Sequence, residues 1–98
     1  MNFYLIFTLT AKNSLKELKH SPQLYKRFKA VAKALKYLAE NPRHRSLQTH
    51  EYFSLKGPDK EKVFEVYAEQ DTPAAYRIFF YYGKHRGEIV VFAITPHL

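Results

Sequence analysis

The 98-residue sequence predicts one α+β domain over residues 1–98: an N-terminal strand, then a two-helix hairpin packed on one face of a mostly antiparallel sheet of four to five strands. Three observations predict it. The length leaves room for one core, since domains usually run to roughly 100–150 residues. Residues 22–40 repeat apolar side chains at helical steps, whereas residues 62–95 hold three aromatic and β-branched runs separated by turn residues. With 46% hydrophobic residues, 16% aromatic residues and three glycines, the chain can bury a core, which excludes disordered and low-complexity classes.

Residues 2–9 are aromatic and β-branched enough for a strand, and the length of the run suits a buried or central position. A short helix is expected to start at Ser14, which stands three residues ahead of Glu17 in the capping-box pattern, with Leu15 and Leu18 on one side. Ser21-Pro22 reads as an N-cap followed by a first-turn proline. Leu24, Phe28, Val31, Leu35 and Leu38 then recur at steps of four, three, four and three, which predicts an amphipathic helix over about 22–40. Asn41-Pro42 ends it, because the residue before a proline disfavours helical backbone. Lys26, Arg27, Lys29, Lys33 and Lys36 fall off the apolar stripe and so face solvent or a partner. Residues 42–60 predict a long connection with a short extended piece around Leu47 to Leu55. Strands follow at Lys62–Glu69, Ala74–Tyr82 and Glu88–Thr95, joined by Gln70-Asp71-Thr72-Pro73 and Gly83-Lys84-His85-Arg86-Gly87 as an antiparallel meander.

The composition narrows the chemistry. Cysteine is absent, which removes disulfides, thiol catalysis and thiolate metal sites together. No glycine-rich phosphate loop, HExxH or GxSxG motif is present, and none of the histidines at 20, 44, 50, 85 and 97 stands at i, i+4 spacing, so neither a metal nor a small-molecule cofactor is expected. The apolar N-terminus lacks a basic leader and a cleavage site, and no run reaches the 18 or more apolar residues of a membrane span. A cytoplasmic protein without a membrane partner is the reading. Net charge is +7, unevenly spread: residues 1–45 hold ten Lys/Arg against two acids, +8, and residues 46–98 hold six against seven, −1. Such a field favours a polyanion, with nucleic acid ahead of a membrane surface.

Period-two alternation puts Phe64, Val66 and Ala68 on one side of their strand and Glu65, Tyr67 and Glu69 on the other. In the next strand Tyr76, Ile78, Phe80 and Tyr82 alternate with Arg77, Phe79 and Tyr81, and in the last Val90, Phe92 and Ile94 alternate with Val91, Ala93, Thr95 and His97. Arg77 is out of place in so apolar a strand and needs a partner or an open polar face, because an unpaired buried cation is very costly. A Glu65–Arg77 cross-strand pair is one solution; a functional patch shared by Glu65, Arg77 and His97 is the other.

Taken together, Ala34-Leu35-Lys36-Tyr37-Leu38-Ala39-Glu40-Asn41-Pro42-Arg43-His44, Leu47-Gln48-Thr49-His50-Glu51-Tyr52, Lys62-Val63-Phe64-Glu65-Val66-Tyr67, Ala75-Tyr76-Arg77-Ile78-Phe79 and Ile94-Thr95-Pro96-His97 resemble the RelE/ParE superfamily of type II toxins. The resemblance spans nearly the whole chain. It implies a ribosome-dependent, metal-independent mRNA endoribonuclease that inhibits translation and is silenced by a cognate antitoxin, with ribosome and mRNA as its other partners. Arg77 matches the family's phosphate-binding arginine and His97 the position at the end of the last strand. His50, Lys56, Lys60 and Lys62 correspond to basic residues before the second strand that contribute to the site, and Glu65 to a position where some members carry a carboxylate and others a basic residue. The ParE branch, which poisons DNA gyrase, shares the architecture, and a member that only binds RNA or a partner is a third reading. No C-terminal helix is expected after His97. RNA supplies its own 2′-hydroxyl nucleophile, so cleavage needs a base, an acid and cations for the phosphorane. On this reading His97 serves with His50 or Glu65 in proton transfer, and Arg77 with Lys56 clamps phosphate. Tyr52, Tyr67 or Tyr81 stacks an unpaired base, and Lys26, Lys29, Lys33, Lys36, Arg43 and Arg45 seat on RNA by sequence-independent attraction.

Overall fold

Two apolar surfaces meet in the core, one from a helix and one from a sheet. The helix is the one with the four-three repeat: Val31, Ala34, Leu35 and Leu38 are buried on one side of it, and Leu38 is fully enclosed. The structure is a computed structural model that describes residues 2–96. It runs β1 (Tyr4–Phe7), α1 (Leu9–His20), a 3-10 turn (Pro22–Leu24), α2 (Tyr25–Glu40), a second 3-10 turn (Arg45–Leu47), β2 (His50–Lys56), β3 (Lys62–Tyr67), β4 (Tyr76–Tyr82) and β5 (Glu88–Pro96). The five strands form one sheet in the order β1-β5-β4-β3-β2. β2 to β5 are antiparallel neighbours, and β1 closes the far side parallel to β5. Val66, Ile78, Phe80, Ile89, Val91 and Ile94 meet Leu18, Val31 and Leu38 to fill the space between helices and sheet.

Several expectations from sequence are corrected here. β1 is an edge strand rather than a central one: Leu5 and Phe7 pack on the core while Tyr4 stays exposed, so the apolar run is one-sided. The first helix begins at Leu9, five residues after β1 opens, because Thr8 takes the cap. Its backbone is extended and its Oγ1 accepts from the Ala11 N–H at 3.2 Å. That hydroxyl also donates to the Phe92 carbonyl at 3.2 Å, tying the helix start to β5. Ser14 therefore lies inside α1, where its hydroxyl donates back to the Thr10 carbonyl. Ser21 makes no side-chain cap either, and the proline opens a 3-10 turn before α2 begins at Tyr25.

The alternation of β5 is broken by a bulge. Phe79 opposes Ala93 and Phe80 opposes Val91, which leaves Phe92 as the extra residue. Val91 and Ile94 both enter the core in consequence, three positions apart. Phe92 turns to the other face and meets the rings of Phe79 and Tyr81.

Arg27, placed by the sequence among the outward cations, is instead a clamp. Its guanidinium donates to the Ala74 carbonyl at 2.8 Å and the Pro73 carbonyl at 3.0 Å, stands 3.6 Å from Glu69, and lies over the Tyr76 ring. It ties α2 to the turn between β3 and β4. Among the described residues no helix is long and apolar enough to cross a membrane.

Leu38→Ala is expected to lower unfolding free energy by about 2–5 kcal/mol in urea titration, since it empties a fully enclosed site. Thr8→Ala should cost about 0.5–2 kcal/mol through the lost cap, whereas Lys36→Ala on the exposed face should stay within about 0.5 kcal/mol.

Candidate functional site

The sheet face turned away from the helices carries the chemistry. Residues directly opposite on paired strands share a face, and the register sets two rows there: His50, Glu65, Phe79 and Ala93 in one, and Tyr67, Arg77 and Thr95 in the next. Glu65 is only 6% exposed, so both its oxygens need partners. Oε1 stands 2.8 Å from His50 Nε2, and Oε2 is 3.5 Å from Arg77 Nη1. The Arg77 guanidinium lies 3.9 Å above the Tyr67 ring centroid, a cation–π contact, and the His50 ring meets Tyr67 edge-on. One buried carboxylate thus joins an exposed imidazole to a largely covered guanidinium.

Next to this group an open hollow of about 580 Å³ is lined by Arg77, Tyr67, Gln48 and the turn from Glu69 to Ala75. A second, of about 330 Å³, lies between α2 and the sheet and is shared by Lys33, Tyr37, Leu47, Tyr67 and Gln70. Tyr67 borders both. Lys26, Lys29, Lys33 and Lys36 are exposed along one side of α2, so its basic stripe reaches the second hollow at Lys33. Arg43 and Arg45 are exposed in the turn after α2, flanking His44, whose ring stacks on Tyr37 with centroids 4.0 Å apart.

Other candidates lie elsewhere. Lys56 is at the opposite end of β2 from His50, with its amine 3.9 Å from Glu51 and its backbone paired with Lys62. Lys60 and Lys62 are exposed at that same end, so these three lysines are not brought to the Glu65 group. Tyr52 packs edge-on against Phe79 beside the group. Tyr81 is farther along β4 with Phe92, and burial, then the nearby Glu61 and Asp59 carboxylates, raise its phenol above the ordinary tyrosine value of 10.0. His97 lies outside the described residues. Among those described, no three His, Asp or Glu side chains gather closely enough to hold a metal ion.

Two further residues at the site, Gln48 and Gln70, carry no signal in the sequence. Gln48 adopts left-handed backbone at φ 49 and accepts from His50 Nδ1 through its carbonyl at 2.9 Å. Its side chain donates to Gln70 Oε1 at 3.2 Å. Left-handed backbone is marked in a sequence by Gly or Asn, and a glutamine there leaves no signal.

No protein-family model matches the sequence, and no curated protein does either. Solved structures do match. A YoeB/ParE toxin from Agrobacterium tumefaciens superposes with a TM-score of 0.71 at 13% identity, over 96% of this chain and 98% of that one. The YoeB dimer from Staphylococcus aureus gives 0.68 at 13% identity over 100% of both chains. The archaeal RelE–RelB complex from Pyrococcus horikoshii OT3 gives 0.65 at 12% identity, covering 98% of this chain and 96% of that one. The chain has the RelE/ParE toxin fold. Identity this low carries the arrangement of elements and not the residues on them, so the Glu65 group stands on its own geometry.

Removing Glu65 strands Arg77 in a covered position, and Glu65→Ala is expected to cost about 3–5 kcal/mol of stability. The double variant Glu65→Ala/Arg77→Ala should cost clearly less than the two single losses added, and strict additivity in urea titrations would show the pair to be uncoupled. The raised Tyr81 value means that the unfolded chain loses this proton first, so its share of stability is present below pH 10 and lost as pH rises through the folded value. Tyr81→Phe should flatten that alkaline fall and remove one late-titrating tyrosinate from the ultraviolet absorbance titration.

Proposed function

We propose that this chain is the toxin of a toxin–antitoxin pair and acts as a metal-independent endoribonuclease on mRNA at the ribosome. The observation that carries the reading is the His50–Glu65–Arg77 group on the helix-free face of the sheet, beside an open hollow that shares Tyr67 with a second hollow lined by Lys33 of the basic helix stripe. Three needs of RNA cleavage by the 2′-hydroxyl meet there. Arg77 is a permanent cation with several N–H donors and suits a phosphate that gains charge in the transition state. His50, exposed at its ring, is the proton-transfer group, since imidazole both donates and accepts protons near neutrality. Glu65, shielded from water, orients both. His97 is the second proton-transfer group in this scheme. Lys56 has no part in it, because its amine is drawn to Glu51, which pairs with Phe64 and so lies on the opposite side of the sheet from His50 and Glu65.

The lysines of α2 give the ribosomal contact: four exposed cations on one helix side attract phosphate without reading sequence, and the attraction weakens with salt. The antitoxin is the natural counterpart of a chain with this fold, one of whose structural neighbours was solved as a RelE–RelB complex. Exposed Leu9 and Phe53, at 72% and 76%, offer a protein partner apolar area to cover. Translated mRNA as substrate places the protein in the cytoplasm, as one domain with no cofactor.

Induced expression of the chain alone, followed by mapping of new 5′ ends, tests the reading. Cuts in phase with the reading frame inside translated regions are expected. Intact transcripts with arrested replication would instead indicate gyrase poisoning. Arg77→Ala and His50→Ala should each lower cleavage at least about hundredfold, the usual cost of a lost proton-transfer or charge-stabilising group. His97→Ala should do the same, Arg77→Lys should restore little, and Lys56→Ala should cleave as the unaltered chain does.

A further inference from the structure

The hydrogen bonds around His50 continue past the charged pair, and each link fixes the next. The Ser46 carbonyl can only accept, so the Gln70 amide points its Nε2 there, at 3.1 Å. Gln70 Oε1 is then the acceptor that faces Gln48 Nε2 at 3.2 Å. Gln48 is held at φ 49, a conformation that residues with a Cβ keep only where their surroundings over-determine it. In that conformation its carbonyl lies 2.9 Å from His50 Nδ1. A carbonyl brings no proton, so Nδ1 must carry one. Nε2, 2.8 Å from Glu65 Oε1, is left as the ring nitrogen whose proton is shared with a titratable partner.

We infer that Gln70, acting through Gln48, is a positioning residue that fixes the tautomer of His50: Nδ1 stays protonated, and Nε2, whose proton is shared with Glu65, is the ring atom at which proton exchange takes place. Gln70 is well placed for this, because it opens the turn whose Pro73 and Ala74 carbonyls Arg27 anchors to α2. The long helix thereby reaches His50 through five residues without touching it. The catalytic consequence rests on the reading of His50 given above, while the tautomer itself is open to measurement without any RNA.

Nitrogen-15 NMR of the histidine ring in the full chain is the test. The unaltered protein should show His50 Nδ1 protonated, with a slowly exchanging proton. Gln70→Ala should mix the tautomers and speed that exchange, and should lower kcat for RNA cleavage about tenfold with KM unchanged, as loss of a supporting hydrogen bond commonly does. Gln70→Glu keeps the acceptor for Gln48 but loses the donor to the Ser46 carbonyl, so its ring signals should fall between those of the unaltered chain and of Gln70→Ala. Gln48→Gly in the Gln70→Ala background should recover Nδ1 protonation in part, since glycine enters left-handed backbone at no steric cost. An unprotonated Nδ1 in the unaltered chain, or ring signals unmoved by Gln70→Ala, would overturn the inference. Absence of cleavage by the unaltered chain would count against the functional reading and leave the ring signals to decide this one.

Discussion

A carboxylate placed where water cannot reach it dictates what surrounds it, and Glu65 occupies such a place. Burying an isolated carboxylate costs several kcal/mol even after relaxation, so the fold has to bring cations to it. Arg77 arrives from the next strand and His50 from the strand on the other side. Both approaches depend on register: a slip of one residue in either pairing would turn Glu65, Arg77 or His50 to the helix face, against Val66 and Ile78. The polar face and the apolar core are therefore specified by the same alternation. Whatever holds β2, β3 and β4 in register also holds the group together.

Two devices away from the group keep that register. The β5 bulge at Phe92 lets Val91 and Ile94 both fill the core while Thr95 still opposes Arg77. Arg27 grips the β3–β4 turn by two carbonyls, so the hairpin that carries Glu65 and Arg77 is fixed to α2 at its turn. An arginine used in this way is lost to any basic surface. The cations of α2 that remain outward are Lys26, Lys29, Lys33 and Lys36, spaced along one side of the helix. Lysine suits a sequence-independent phosphate contact, being a flexible point charge without a preferred planar partner.

Much of this was legible in the residues, and the exceptions share a cause. The four-three repeat of α2 and the alternation of β3 and β4 were readable because burial repeats with the period of the backbone. Arg77 stood out because a cation in an apolar strand demands a partner, and Glu65 was within cross-strand reach. What did not show was set by contacts distant in sequence. Thr8 outcompetes Ser14 as a cap because it also reaches Phe92, 84 positions away. Arg27 falls off the apolar stripe as its neighbours do, and only the position of the β3–β4 turn makes it a clamp. Lys56 belongs with the basic residues by composition, but the length of β2 carries it away from His50. The roles of Gln48 and Gln70 come from a left-handed turn that nothing in a glutamine announces.

An arginine that balances a buried carboxylate looks spent as a phosphate ligand, but the geometry argues otherwise. A bidentate Arg–carboxylate pair would commit two parallel N–H bonds at short range. Here one nitrogen, Nη1, faces one oxygen at 3.5 Å, long for a charged hydrogen bond, and the Tyr67 ring takes the guanidinium's flat face rather than its edge. Glu65 divides its attraction between Arg77 and a closer imidazole at 2.8 Å. The guanidinium is thus oriented by weak contacts at one edge and on one face, which leaves further N–H donors to an anion entering the hollow that Arg77 lines. Little reorganisation would accompany that entry, because Tyr67 holds the plane in place before the anion arrives, and donors already fixed in direction stabilise developing charge better than donors that must turn to meet it.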